Sequence, residues 1–279
     1  GGGQELKKTN RRLTSIIIAA VIVLILVAIY VSGSFLPDSA LRADFSQEFL
    51  APSFKHPFGT DYLGRDMFVR TIKGLSLSLI IGATASVISA IIGLIVGVTA
   101  ALGKGWIDHA INWFIDVFMS VPHTVLLILI SIAFSKGATG LLIGIALTHW
   151  ASLARLIRAE VLQVRDQQFV LCSRRFGKSP FWVATKHIIP HVLPQFFVGL
   201  ILEFPHAIMH ESGLTFLGFG MPPEQPAIGI ILSESMRYIS SGAWWLVFFP
   251  GLALVLIVIL IETLGTTVRL LFEPRQAQL

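Results

Sequence analysis

Between Leu13 and Ser34 the chain runs without one charged side chain, and Ile, Val, Leu and Ala fill most positions. A helix rises about 1.5 Å per residue, so roughly 20 such residues cross a hydrocarbon core about 30 Å thick. Inside that core every backbone N–H and C=O must find its partner within the protein. A chain assembled from runs of this kind is thereby confined to a bundle of helices. Comparable runs follow at about 75–102, 111–134, 141–156, 196–219 and 244–271. Glycines punctuate them, among them Gly82, Gly93 and Gly97, and small residues let membrane helices approach closely. The expected fold class is all-α and integral to a membrane, with six transmembrane helices.

Composition agrees. Only 13% of the residues are charged, against about a quarter in soluble domains. Gly1 to Gly3 read as the remnant of a tag. Lys7, Lys8, Arg11 and Arg12 precede the first run, as they would in a signal peptide. That run is longer than the usual core of about 7–15 residues, and no small-x-small cleavage site follows it cleanly. It reads as an anchor. The organisation expected is a cytoplasmic start (1–12), a first span (13–34), an outer segment (35–74) and a helical membrane domain (75–279).

An even number of spans returns both termini to one side. Placing them inside puts 14 of the 21 Lys and Arg in inner segments, Lys104 and Arg275 included, as the positive-inside rule asks. The outer seven are Arg42, Lys55, Arg65, Arg70, Lys73, Lys136 and Arg237. A +5 net charge distributed between apolar runs speaks for a lipid bilayer and against nucleic acid. The single cysteine, Cys172, excludes an internal disulfide and a multi-cysteine metal site.

One interval breaks the apolar pattern. Seven Lys or Arg lie between Arg155 and Lys186, and each costs about 2.5–3.5 kcal/mol at a bilayer centre. The interval must therefore leave the membrane. Within it, QQFVLCSRRFG predicts a short helix ended by Gly177, a residue that readily closes helices in the left-handed conformation. Ser179 then caps a second helix with Pro180 at its first position. Physics alone leaves two roles open: a loop that fixes orientation, or a knuckle that docks on a soluble partner.

The pattern resembles the cytoplasmic coupling loop of binding-protein-dependent ABC importers, roughly E-A-A-x-x-x-G followed by I-x-x-x-L-P. Gly177 stands at the glycine and HIIPHVLP (187–194) at the closing segment, while Leu171, Cys172 and Ser173 replace E-A-A. HPFGTDYLGRD (56–66) and ESGLTFLGFGMPP (211–223) resemble segments of the dipeptide, oligopeptide and nickel permeases, of the second-permease type. The resemblance implies a type I ABC importer permease fold with a cytoplasmic coupling helix, in a coupling loop at about 160–187. It implies a homologous second permease subunit, two ABC ATPase subunits and an extracellular or periplasmic solute-binding protein. It places the chain in the cell membrane of a prokaryote as a multi-pass subunit, not itself an enzyme. ATP and Mg2+ would belong to the ATPases, with no cofactor bound by this chain. The coupling residues it implies are Asp166, Phe169, Cys172, Ser173, Arg174, Arg175, Phe176, Gly177, Lys178, Ser179 and Pro180.

In the outer segment Gly59 gives a turn. Asp61 reads as the cap of an amphipathic helix whose polar face holds Arg65, Asp66, Arg70 and Lys73. Simple anchoring would explain it. Contact of Asp61, Arg65 and Asp66 with a docked binding protein is the sharper reading.

The fifth span holds Glu203, Pro205, His206, His210 and Glu211. At 100° per residue, Glu203, His206 and His210 share a stripe about 60° wide, with Glu211 beside it. Ionisable groups at membrane depth usually face a polar cavity. Imidazole with carboxylate suits a divalent transition ion, so nickel or cobalt, free or chelated, is the expected passing cargo. A di- or oligopeptide is the alternative. Ile228 before Gly229 departs from the tryptophan that peptide-type members carry there, which favours the metal branch. Pairing within the bundle is the plain alternative for the histidines. His149, Arg155, Arg158 and Glu160 are expected to be satisfied by snorkelling and Arg–Glu pairing.

Other classes fit poorly. HExxH would mark a metalloprotease, but the second histidine is missing after His210-Glu211. No GxxxxGK[ST] loop is present, so the chain does not carry the ATPase site. An ion-coupled secondary transporter should show broken helices in two repeated halves, and the sequence has no such repeat. The outer turns show no channel filter.

Overall fold

The computed structural model describes residues 2–103 and 105–272, and side chains from Arg12 onward with the exception of Ala40. Gly1, Lys104 and Arg275, used above, lie outside the described residues, as do the side chains of Lys7, Lys8 and Arg11. Ten helices follow one another among the described residues: α1 (Gly2–Phe35), α2 (Met67–Leu102), α3 (Gly105–Ser120), α4 (His123–Ala133), α5 (Ala138–Arg165), α6 (Gln168–Arg175), α7 (Pro180–Val183), α8 (Ile189–Phe216), α9 (Ile228–Met236) and α10 (Trp245–Phe272). A π turn over Ala184–Ile188 joins α7 to α8. Five helical stretches are long and apolar enough to cross a membrane, six if the bent pair α3–α4 counts as one span. The six-span expectation stands on that reading.

The stretch expected as one span over 111–134 is not a single helix. α3 and α4 meet at 95°. The break falls at Val121-Pro122, where proline supplies no amide hydrogen and bars its predecessor from helical geometry. Two arginines of α5 fasten α3: Arg158 grips Asp108 through two bonds of 2.7 and 2.6 Å, and Arg155 reaches Asp116 at 2.5 Å. The Arg–Glu pairing expected with Glu160 gives way to these Arg–Asp pairs, because α3 folds back across α5.

The separate amphipathic helix expected from Asp61 does not form. Gly64 sits at φ +72°, and a Cβ there would lie 1.8 Å from the Asp44 carbonyl oxygen. The chain therefore turns at Gly64, and helix begins only at Met67. Asp66 is its cap, accepting from Phe68 N and Val69 N. Residues 36–66 instead fold down as a lid over the ends of α2 and α10. Thr60 Oγ1 donates to Gln47 O at 2.5 Å and accepts from Leu50 N at 2.8 Å, and Trp245 Nε1 donates to Thr60 O at 3.4 Å.

The basic interval does fold as helix, glycine turn and helix. Gly177 takes φ +74°. Its N–H donates to Arg174 O and that of Lys178 to Ser173 O, the two bonds of a Schellman closure. Ser179 Oγ accepts from Trp182 N at 3.2 Å, with Pro180 at the head of α7.

α2 and α5 form the central contact. Gly93 faces the Trp150 carbonyl and Leu153, and Gly97 faces Ala154 and Ile157. A Cβ at Gly97 would stand 2.6 Å from Ala154 O, so only glycine permits this approach. Gly97→Leu is expected to destabilise the chain by about 1–3 kcal/mol through overpacking, read as a lowered Tm in detergent. Gly213→Ala, whose Cβ meets nothing within 4 Å, serves as a control and should not lower it.

Candidate functional site

A cavity of about 450 Å3 opens between α5 and α8, at the foot of α4. On α8 its wall runs from Gly199 through Glu203 and His206 to His210, and on α5 from Leu156 back to His149. The two helices run in opposite directions along the cavity, so His149 and His210 stand together at the end remote from α6. His123, the first residue of α4, joins them there because the break at Pro122 points the start of α4 inward. The ring centroids lie 4.6 Å (His123–His149), 4.7 Å (His123–His210) and 5.2 Å (His149–His210) apart.

Hydrogen bonds fix two of the rings that line the cavity. His149 Nδ1 lies 3.0 Å from Ile145 O and His206 Nδ1 lies 2.9 Å from Leu202 O. A carbonyl only accepts, so in each ring Nδ1 carries a hydrogen, and in the neutral form of such a ring Nε2 is the nitrogen with the lone pair. His123 Nε2 and both Glu203 carboxyl oxygens are buried without a hydrogen-bond partner. Buried polar groups are rarely left so.

Of the four residues expected to line a pathway, Glu203, His206 and His210 share this cavity and Glu211 does not. Glu211 is 0% exposed and is held by Ser78 Oγ at 2.6 Å and by Ser212 and Thr215 at 3.1 Å each. One step of 100° past His210 turns it toward α2. His123 and His149 were not among the expected residues. Each is an ionisable group inside an apolar run, a signal that applied to them as much as to His210.

The outer residues expected to meet a docked partner face inward. Asp61 is 2% exposed. Its Oδ1 accepts from Leu63 N and Arg65 N, and its Oδ2 binds Arg65 Nε at 2.7 Å and Arg70 Nη1 at 2.6 Å. Both arginines also reach Glu234 Oε2, at 3.1 and 2.8 Å. Burial alone would lower the Arg65 pKa, and the Asp61 and Glu234 carboxylates reverse this and raise it. Asp66 caps α2 and holds His56 Nδ1 at 2.7 Å. These three side chains therefore knit the lid together and to α2 and α9.

On the α6–α7 knuckle the two faces differ. Val170 and Val183 pack with Ile157, Val161 and Ile188 in one apolar cluster. Phe176 and Phe181 stand 84% and 79% exposed, beside exposed Cys172, Arg174, Arg175 and Lys178 and the half-exposed Phe169. Ser173 Oγ lies 2.9 Å from His187 Nε2 and so faces the body of the protein, while Asp166 closes α5.

A bundle of spans with this knuckle matches known proteins. The family model for the binding-protein-dependent transport system inner membrane component matches residues 89–278. The dipeptide transport system permease protein DppC of Bacillus subtilis is 34% identical over 255 residues, covering 91% of this chain and 80% of that protein. A Brucella suis protein, provisionally named a peptide permease, is 37% identical over 228 residues, 81% of this chain and 75% of its own length. A solved chain of the inward-facing MetNI methionine ABC transporter superposes with a TM-score of 0.61 at 20% identity, over 74% of this chain and 97% of that one. The chain belongs to this family: it is an ABC importer permease of the peptide/nickel group, with the type I fold.

Arg70 bonds both Asp61 and Glu234, so removing it leaves these two carboxylates only Arg65 as a cationic partner. Arg70→Leu is expected to cost about 3 kcal/mol, seen as a lowered Tm and as early proteolysis within residues 36–66.

Proposed function

We propose that this chain is one half of the transmembrane pathway of an ATP-driven peptide importer. A homologous permease would complete the pathway, two ATPases would sit beneath it, and a solute-binding protein would deliver the cargo. The peptide assignment rests on the names of the relatives, which favour it over the metal cargo suggested by the histidines and Ile228. The orientation rests on the basic bias of the inner segments, which puts both termini and the knuckle on the cytoplasmic side.

The observation that carries the mechanism is the two-faced knuckle. Its inner valines are locked into the core shared by α2, α5 and α8, and its outer face offers two bare phenylalanines among cations. Bare aromatic side chains ringed by charge are typical anchors of protein interfaces. A segment rigid on one side and adhesive on the other is suited to convey a push. Closure of the ATPases would move α6 and α7 as one piece with α5 and α8, and the cavity between those two spans would change its opening. Alternating access follows from rocking of packed helices, with no chemistry in this chain.

Phe176→Ala with Phe181→Ala should leave the permease inserted and folded, since neither side chain is in the core. ATP-dependent uptake of a labelled dipeptide into proteoliposomes should fall by about tenfold or more, as for loss of an interface anchor worth about 2 kcal/mol. A Cβ at Gly177 would meet no neighbour within 4 Å, but Gly177→Arg holds a side-chain-bearing residue in a left-handed conformation costing about 1–2 kcal/mol. It should likewise uncouple uptake from ATP hydrolysis without blocking insertion. Full uptake in both variants would refute the docking role.

A further inference from the structure

The histidine cluster at the end of the cavity remote from α6 asks for an occupant. His123, His149 and His210 each offer one ring nitrogen, and these three atoms lie within 4.8 Å of one another. His149 is oriented by its Nδ1–H donating to Ile145 O, which leaves Nε2 as a free donor of an electron pair. A second-sphere bond of this kind is how metal-binding imidazoles are held in place. His123 Nε2 is buried and unpartnered, and so is the Glu203 carboxyl in the same cavity. Converging imidazoles with a buried, unanswered nitrogen make a poor resting arrangement. A divalent cation between them answers that nitrogen.

We propose that His123, His149 and His210 form a binding site for a divalent transition-metal ion, with a coordination position left open toward the cavity. Three imidazoles suit zinc, nickel, cobalt or copper, whereas magnesium and calcium prefer oxygen. Three protein ligands with one open position is the arrangement that lets an exchangeable ligand join the metal. Glu203 and His206 line the same cavity, the first supplying negative charge. The ion would hold the start of α4 to α5 and α8, and its open position would face whatever passes. The site thus deepens the peptide reading, on which this last step rests: the favoured cargo is a small molecule with a metal-coordinating amine or carboxylate.

The probe is Co2+ added to the permease assembled with its partner subunits in lipid nanodiscs. The expected result is the visible absorption of a four- or five-coordinate cobalt centre, removed by Zn2+ in competition. His123→Ala and His210→Ala should each weaken Co2+ binding by more than about 100-fold, beyond the roughly 10–100-fold that loss of a second-sphere partner costs. His109→Ala should leave it unchanged. If the alanine variants fail to assemble, His210→Gln, which keeps the side chain's bulk, provides the same comparison. Absence of the cobalt absorption in the wild-type complex, or its persistence unaltered in an assembled His210 variant, overturns the site. Dipeptide uptake by the same assembled complex in proteoliposomes separates the two readings. Lost uptake with an intact cobalt centre would sink the peptide assignment alone, and normal uptake with no cobalt centre would sink the metal site alone.

Discussion

The contact on which this architecture depends is the approach of α2 to α5 through Gly93 and Gly97. In lipid there is little hydrophobic gain in pushing two apolar helices together, so close van der Waals packing must do it. The glycines remove the side chains that would hold the helices apart, and Trp150, Leu153, Ala154 and Ile157 fill the space. α5 is thereby fixed along its length. It then becomes the reference for the rest: its arginines hold α3, its histidine lines the cavity, and its last turns carry α6.

Polar groups divide into those that build and those left available. Asp61, Arg65, Arg70 and Glu234 form a closed set in which each charge meets opposite charges. Glu211 is likewise satisfied by three hydroxyls. Groups answered so completely are structural. Glu203 and His123 keep unanswered atoms beside open space, and that difference locates the working surface better than charge or depth does.

Much of this was legible in the sequence because it follows from local rules. The closing glycine at 177 and the Ser179-Pro180 start each depend on a few neighbouring residues, and each appears where expected. The break at Pro122 was equally local, yet the continuous apolar run around it masked the bend. The outer segment was misread for another reason. Asp61 and Asp66 are both plausible caps, and only the distant carbonyl of Asp44 against Gly64 decides between them. The histidine cluster could not be assembled from periodicity at all. His206 and His210 share a face of one helix, but His123 and His149 come from two others, and helical spacing says nothing of which helices are neighbours. Glu211, adjacent in angle to the histidine stripe, shows the opposite failure: about 100° was enough to move it from cavity to core.

The π turn at Ala184–Ile188 lies between the knuckle and α8. A π turn accommodates one residue more than an α turn, so it resets the phase of everything before it by about one residue's rotation, roughly 100°. The compass heading of Phe176 and Phe181 is therefore encoded in a single surplus residue, well away from the phenylalanines themselves. Related chains could re-aim the same knuckle toward a differently shaped engine by gaining or losing that residue, with the spans and their cavity left as they are.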